Sequence, residues 1–155
     1  MPSIPFHPRT GLYVITCIDP RVDPAAFLGL RLGDAIVQRD IGGRVTPAVA
    51  RDVAYIAHLV RSKTPEGPWF EVAIVHHTDC GSALLADDDL RNDFAARIGA
   101  SERDLADTAV LDPASTARTD VERLRAAPGI PDEVAIAGYV YDLATGVVAE
   151  APRVS

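Results

Sequence analysis

The sequence predicts an α/β protein with a mostly parallel four-stranded sheet, flanked by helices and ending in a short antiparallel edge strand. Three observations support this fold class. Short apolar runs rich in β-branched residues alternate with segments of helical periodicity. Proline follows aspartate or threonine at two expected helix starts. A turn sequence with a final glycine separates the last two short strands.

The first half of the chain contains two strands and two helix starts. Residues 12–18 (LYVITCI) and 35–39 (AIVQR) have the composition of buried strands. Asp23-Pro24 has the pattern of an N-cap followed by proline at N1 and predicts a short helix to about residue 30. Thr46-Pro47 repeats this pattern and begins a longer helix to about residue 62, with valines and alanines at helical spacing.

The middle of the chain holds the most apolar strand and a helical stretch. Residues 70–76 (FEVAIVH) form the strand, and residues 82–98 are helical with a break near the aspartates at 87–89. That acidic run is either a metal-binding cluster or a set of solvated charges at a helix start, and we expect the second. Residues 101–110 add further helix.

The last part of the chain closes the sheet. Residues 116–127 (TARTDVERLRAA) predict a helix that ends before proline and glycine, and residues 134–141 predict the fourth strand. Residues 142–146 (DLATG) form a hairpin turn, and residues 147–150 return antiparallel to the fourth strand. Strands separated by helices predict a parallel sheet elsewhere.

Composition fits one globular domain, which we place at residues 1–155. The 155 residues are 48% hydrophobic and 24% charged, with a formal net charge of −7. This acidic balance argues against nucleic-acid or anionic-membrane partners. The start of the chain lacks the pattern of a signal peptide, and no run of 18 apolar residues is present. We therefore expect a cytoplasmic protein that does not enter a membrane.

Two short motifs contain the residues that can bind a metal. The first is CIDPR at residues 17–21, and the second is HTDCG at residues 77–81. Two thiolates, Cys17 and Cys80, with an imidazole from His77 form a zinc-type ligand set that leaves a fourth position open, which is typical of catalytic zinc. His76, four residues before Cys80, is an alternative ligand on a helical turn. Two unrelated buried thiols, a structural zinc or a redox dithiol are the other interpretations.

Asp19 and Arg21 favour a catalytic centre. Alternation along the strand end places residues 17, 19 and 21 on one side. An aspartate beside a metal can accept a hydrogen bond or proton from a water, and an arginine keeps that aspartate ionised and oriented. A purely structural zinc does not need such a pair.

The two motifs together resemble those of the β-class carbonic anhydrases, whose pattern is Cys-x-Asp-x-Arg followed by His-x-x-Cys. The resemblance covers residues 10–150 and includes the linking segment RDIGG at 39–43 and the closing GYVYD at 138–142. By its compactness the chain is similar to the short branch of that family. Where family members commonly have Asn, this chain has Asp40, an extra carboxylate that we expect to alter the electrostatics or to pair with Arg39.

The resemblance implies zinc held by Cys17, His77 and Cys80, with Asp19 and Arg21 as the catalytic pair. It favours His77 over His76, which we expect behind the site. It implies reversible hydration of carbon dioxide to bicarbonate by a homodimer or larger homo-oligomer. Hydrolysis of carbonyl sulfide or carbon disulfide on the same scaffold remains an alternative, and so does a non-catalytic, zinc-stabilised protein that binds bicarbonate or a partner.

Overall fold

The computed structural model describes residues 7–152. The expectation of no secretion signal concerns the start of the chain, of which residues 1–6 lie outside the described residues. The strands are β1 Leu12–Cys17, β2 Ala35–Asp40, β3 Glu71–His77, β4 Ala135–Asp142 and β5 Val147–Glu150. They form a sheet in the order β2-β1-β3-β4-β5, in which β5 is antiparallel to β4 and the other pairs are parallel. The predicted fold class is confirmed.

The helices follow the predicted alternation with the strands. Within residues 7–152 the α-helices are α1 Pro24–Phe27, α2 Pro47–Lys63, α3 Asp88–Ile98, α4 Glu102–Thr108 and α5 Pro113–Arg125. Short 3-10 turns occupy Ile41–Gly43 and Gly81–Ala86. The acidic run at 87–89 begins α3, because the Asp87 side chain accepts a hydrogen bond from Leu90 N. Every helix in this part of the chain is too short or too polar to cross a lipid bilayer.

Several element boundaries differ by one to three residues from the sequence prediction, and two of these differences are informative. Helix α5 begins three residues earlier than expected, because Asp112 caps it by accepting hydrogen bonds from Ala114 N and Ser115 N, with Pro113 in the first turn. This is the same cap pattern that the sequence displays at Asp23-Pro24. Strand β3 begins and ends one residue later than predicted, so that His77 is its last residue.

The main core lies between one face of the sheet and helices α2 and α5. The inward side chains of β1 and β3 alternate with those of the opposite face, as the pleat requires. The buried members on the helical side include Tyr13, Ile15, Val53, Ile74 and Leu124. The opposite face has a smaller cluster, where Phe27 of α1 stacks on Tyr141 of β4 with ring centroids 4.4 Å apart.

A buried ion pair fixes the segment that follows β2 against helix α5. Arg44 Nε donates to Asp120 Oδ2 at 2.7 Å, and Val45 N donates to the same oxygen at 3.1 Å. The side chains of Arg44 and Asp120 are 4% and 0% exposed. Burial works to raise the pKa of Asp120, but hydrogen bonds from His76 and Arg44 outweigh it and lower this pKa to about 2. Asp120 is therefore ionised in the folded protein.

We predict that Asp120→Asn destabilises the protein by about 3–5 kcal/mol near neutral pH, because it leaves the buried Arg44 guanidinium without a counter-charge. The pKa of Asp120 is lower folded, about 2, than its ordinary 3.8, so the ionised form contributes stability above that value. This contribution is lost as the pH falls toward 2. Chemical denaturation measured at several pH values checks both points.

The matched control is Asp93→Asn, which removes the partner of Arg97 in an exposed pair with side chains 72% and 66% accessible. Exposed pairs contribute roughly 0–1 kcal/mol, so this variant should stay close to the wild type. Equal losses in the two variants would contradict the importance of the buried pair.

Candidate metal centre

Three side chains from two neighbouring strands converge at one end of the sheet. Cys17 is the last residue of β1, His77 is the last residue of β3, and Cys80 follows the turn after β3. Their ligand atoms all lie within 4.8 Å of one another, and all three residues are buried. The two Sγ atoms are 3.9 Å apart.

The geometry of this cluster fits a tetrahedral zinc ion. Two sulfurs, each about 2.3 Å from such an ion, would be about 3.8 Å apart. His77 Nδ1 donates to the Thr78 carbonyl at 2.7 Å, which leaves Nε2 as the ring atom with a free lone pair. Nε2 is buried and has no hydrogen-bond partner among residues 7–152. A buried imidazole nitrogen beside two sulfurs is therefore ready to bind a metal.

The turn between His77 and Cys80 is held by strand β4. Thr78 N donates to the Tyr141 carbonyl at 3.1 Å, and the Thr78 hydroxyl accepts from Leu143 N at 3.0 Å. Asp79 then adopts a left-handed φ of 52°, which aspartate tolerates better than most residues. This conformation reverses the chain so that the Cys80 sulfur returns to the end of β1.

The sulfurs of Cys17 and Cys80 hydrogen-bond to each other. This bond, from the Cys17 thiol, lowers the pKa of Cys80 and raises the pKa of Cys17. Cys80 is accordingly the sulfur that is ionised first, and one proton must leave Cys17 when a metal binds.

Asp19 and Arg21 form the pair that the sequence predicts, directly beside the cluster. Arg21 Nη2 donates to Asp19 Oδ2 at 2.7 Å, and Arg21 Nε donates to Oδ1 at 3.0 Å. Asp19 Oδ2 lies 3.9 Å from His77 Nε2, so the carboxylate faces the position that a metal would take. The Arg21 hydrogen bonds lower the pKa of Asp19 to about 2. Asp19 is therefore an anion at neutral pH.

Asp79 is a second anionic partner of Arg21. Arg21 Nη1 donates to Asp79 Oδ2 at 2.9 Å, and Arg21 Nη2 donates to the Asp79 carbonyl at 2.9 Å. The guanidinium thus joins the first motif to the turn of the second. The two motifs do not reveal this contact, because Arg21 and Asp79 lie 58 residues apart in the sequence.

Arg39 holds the backbone at the end of β1, a role that the two sequence motifs do not reveal. Its Nε donates to the Cys17 carbonyl at 2.9 Å, and its Nη2 donates to the Asp19 carbonyl at 2.8 Å. It therefore fixes the backbone on both sides of Ile18. The only available signal was its place one residue before Asp40, at the end of the strand that pairs with β1.

Asp40 pairs with backbone rather than with Arg39. Its Oδ1 accepts from Arg44 N at 2.8 Å, whereas Oδ2 is buried without a partner in the described part of the chain. Burial raises the pKa of Asp40 to about 6. The expected pairing with Arg39 is not formed, because Arg39 donates to carbonyl oxygens instead. An effect of Asp40 on the electrostatics of the site stays a prediction.

His76 lies behind the cluster, on the opposite side of the strand from His77. It is fully buried and hydrogen-bonds with Thr116 Oγ1 at 2.6 Å through Nδ1. Its Nε2 donates to the Gly43 carbonyl at 3.0 Å and lies 3.3 Å from Asp120 Oδ2. His76 thus connects the buried ion pair to the loop beside the metal site.

Gly43 lets that loop touch the backbone of β1. A Cβ on Gly43 would lie 2.8 Å from the carbonyl carbon of Thr16 and 3.0 Å from Cys17 N. Backbone atoms cannot move aside at such a contact, and the φ of +66° also disfavours a side chain. Gly43 therefore permits the close approach of this loop to the end of β1, beside the cluster.

An open apolar cavity leads to the cluster. Its volume is about 810 Å³, and Cys17 and Asp19 lie on its wall. Most of the rest of the wall is aliphatic or aromatic, from Ile18, Ile41, Leu84, Leu90, Phe94 and Ile98. A small uncharged molecule can therefore reach the cluster without losing hydrogen bonds to water.

The chain is similar to carbonic anhydrases and to carbon disulfide hydrolases. A family model described as carbonic anhydrase matches residues 12–124. β-Carbonic anhydrase 1 of Mycobacterium tuberculosis is 28% identical over 147 residues, covering 95% of this chain and 85% of that protein. Carbon disulfide hydrolase of Acidianus is 31% identical over 157 residues, covering 86% of this chain and 74% of that protein.

A solved structure agrees in fold. The crystal structure of a carbonic anhydrase from Streptococcus mutans aligns with a TM-score of 0.79 and 32% identity. The alignment covers 98% of this chain and 87% of that one. The match extends over nearly the whole sheet and its helices.

We predict that Gly43→Ala lowers metal binding and thermal stability together, because the new Cβ pushes the Thr16–Cys17 backbone out of place. Gly99→Ala is the control, since Gly99 has a φ of +67° but no atom within 4 Å of the added Cβ. It should cost only the left-handed penalty of roughly 1–2 kcal/mol and keep its metal. Metal content and thermal unfolding of both variants check this, and a Gly43→Ala protein that behaves like Gly99→Ala would disprove the role of the contact.

Proposed function

Because the chain belongs to the β-carbonic anhydrase family, we propose that it catalyses the zinc-dependent, reversible hydration of carbon dioxide to bicarbonate. The observation that carries this proposal is the convergence of Cys17, His77 and Cys80 beside the Arg21-paired carboxylate of Asp19. These are the donor types of zinc, next to an anion that faces the same point.

The three proposed ligands differ in what they contribute. Zinc, when bound, supplies the Lewis acidity that makes water nucleophilic near neutral pH. His77 would bind through Nε2, because its Nδ1 proton is held by the Thr78 carbonyl. Cys17 and Cys80 would bind as thiolates and would cancel the charge of the ion. We therefore expect activity to lean toward alkaline pH, compared with a site of three neutral ligands.

Asp19 and Arg21 have separate proposed roles beside the ligands. Asp19 is ionised at neutral pH, so it acts as a hydrogen-bond acceptor that orients the attacking water. Arg21 holds both carboxylate oxygens and so prevents Asp19 from turning to the metal. The choice between these two partners is a two-state equilibrium of one carboxylate.

The apolar cavity supports a small uncharged substrate. Carbon dioxide has no net dipole, and aliphatic walls admit it while excluding much of the water that would compete for the cluster. Bicarbonate is charged and would be released toward the open side. Two carboxyl groups lie on this wall beside the proposed ligands: Asp19, with a pKa of about 2, and Asp40, with a pKa that burial raises to about 6.

Hydrolysis of carbon disulfide or carbonyl sulfide is a second candidate. The same apolar wall suits these less polar analogues, and the chain is 31% identical to a protein named carbon disulfide hydrolase. The ligand set does not distinguish the substrates, since attack at the central carbon is common to all of them. The length and width of the cavity decide between them.

A non-catalytic zinc protein is the candidate of another class. The pairing of Asp19 with Arg21 argues against it, because a closed structural site has no use for an oriented anion beside its ligands. The open cavity argues in the same direction, since it would expose a purely structural metal.

We further propose that the chain assembles as a homodimer or larger homo-oligomer and that it is located in the cytoplasm. Three apolar side chains at the cavity mouth support the assembly, because Ile18, Leu84 and Ile98 are 50%, 62% and 55% exposed. A second copy of the chain could cover them. The cytoplasmic location stays a prediction.

We predict that the purified protein binds one zinc ion per chain and hydrates carbon dioxide, and that Cys80→Ser loses both properties. The reason is that a serine hydroxyl is a poor zinc ligand and leaves only two strong ones. Elemental analysis and carbon dioxide hydration, with sulfide release from carbon disulfide measured in parallel, check this. Sulfide release without carbon dioxide hydration would favour the second candidate, and full zinc occupancy in Cys80→Ser would refute the ligand assignment.

We predict that Arg21→Ala keeps its zinc but loses activity about 10–100-fold at every pH from about 6 to 9. Arg21 donates the side-chain hydrogen bonds that hold the Asp19 carboxylate. Without them, Asp19 Oδ2, which lies 3.9 Å from His77 Nε2, would be free to turn toward the metal. The control is Arg97→Ala, which removes an exposed arginine of α3 that does not line the cavity. Wild-type activity in Arg21→Ala would show that Arg21 does not hold Asp19, and loss of zinc would mean that it supports the ligands instead.

A further inference from the structure

Ser82 lies directly against one of the two cluster sulfurs. Its side chain is buried, with the residue 5% exposed, and its Oγ is 3.1 Å from Cys80 Sγ. The same oxygen is 3.1 Å from Val110 N, which belongs to the segment between α4 and α5. Neither sequence motif assigns Ser82 a role, because it lies one residue beyond the second motif.

The direction of these two hydrogen bonds follows from the atoms involved. The Val110 amide can only donate, so Ser82 Oγ accepts there. A serine hydroxyl has a single proton, and that proton remains available for the sulfur. A metal-bound cysteine has no proton of its own, so in the loaded protein Ser82 must be the donor and Cys80 the acceptor.

The two sulfurs differ in this respect. Cys17 Sγ accepts from backbone amides, including Asp19 N at 3.4 Å and the amide of Gly42. Cys80 Sγ accepts from the Ser82 amide and, in addition, from the Ser82 hydroxyl. Cys80 is thus the sulfur whose environment depends on a side chain that a substitution can remove.

We propose that Ser82 is a positioning residue of the metal centre, whose hydroxyl donates a hydrogen bond to the Cys80 thiolate and thereby weakens the electron donation of that sulfur to the metal. The inference rests on the proposed zinc site. Hydrogen bonds to metal-bound sulfur stabilise its lone pairs and are an established means of tuning a metal centre. Here the bond offsets part of the charge that two thiolates place on the ion, and leaves the metal a stronger Lewis acid.

The alternative is that Ser82 only anchors the segment around Val110. That role would affect folding and would leave the electronic state of Cys80 unchanged. A spectroscopic readout of the sulfur–metal bond separates the two, because it reports electron donation and not stability.

The test uses cobalt(II)-substituted protein and the sulfur-to-cobalt charge-transfer absorption band. Loss of the hydroxyl raises the energy of the sulfur lone pairs, so we expect the band of Ser82→Ala to move to longer wavelength. Ser82→Thr restores a hydroxyl and should return the band to the wild-type position. Thr108→Val is the matched control, since Thr108 lines the same cavity and its hydroxyl donates to the Asp104 carbonyl; its band should not move.

The outcomes separate this inference from the function on which it rests. A wild-type protein that binds no cobalt or zinc overturns the metal site and the role of Ser82 with it. Stoichiometric cobalt with an unchanged band in Ser82→Ala overturns the role of Ser82 alone. If Ser82→Ala does not fold, because Val110 N has lost its acceptor, the wild-type cobalt protein provides a second measurement. In 15N-labelled protein its proton NMR spectrum should contain a paramagnetically shifted, solvent-exchangeable resonance without coupling to 15N, as expected of the Ser82 hydroxyl proton, and the absence of such a resonance would refute the donation.

Discussion

The parallel ladder between β1 and β3 positions both halves of the proposed metal centre. Thr16 lies opposite Val75 in this ladder, so the carboxyl ends of the two strands coincide. Cys17 ends one strand and His77 ends the other. A shift of the register by one residue would move Cys17 by about 3.3 Å along the strand direction relative to His77 and separate their ligand atoms. The cluster is therefore as rigid as the centre of the sheet, where backbone hydrogen bonds and packing on both faces hold it.

The groups that balance charge around the cluster change with distance from the sulfurs. Next to the sulfurs, backbone amides and the Ser82 hydroxyl supply partial positive charge. Farther out, Arg21 balances Asp19 and the buried Arg44 balances Asp120. Asp40 is the exception, since one of its oxygens is buried with no partner among residues 7–152. Its carboxyl therefore adds negative potential beside a centre that already contains two sulfurs.

The proposed ligands bear on the type of reaction, whereas the cavity bears on the choice of substrate. The ligand set is common to hydration of carbon dioxide and to hydrolysis of its sulfur analogues, because both begin with attack on a central carbon. The wall of Leu84, Phe94 and Ile98 instead determines which molecule arrives. This is consistent with similarity of the chain both to a β-carbonic anhydrase and to a carbon disulfide hydrolase.

The sequence alone determined the strands, most helix starts and the chemical type of the ligands. These are local properties, since an apolar run, a cap such as Thr46-Pro47 or a cysteine in a short motif is visible within a few residues. The start of α5 is also encoded locally, because Asp112-Pro113 repeats the cap pattern of Asp23-Pro24. Tertiary structure decided which strands are neighbours, how Arg39 and Ser82 serve the site, and that Arg44 meets Asp120 across 76 residues. Such contacts depend on how distant segments pack, and no local pattern in the chain encodes the partner.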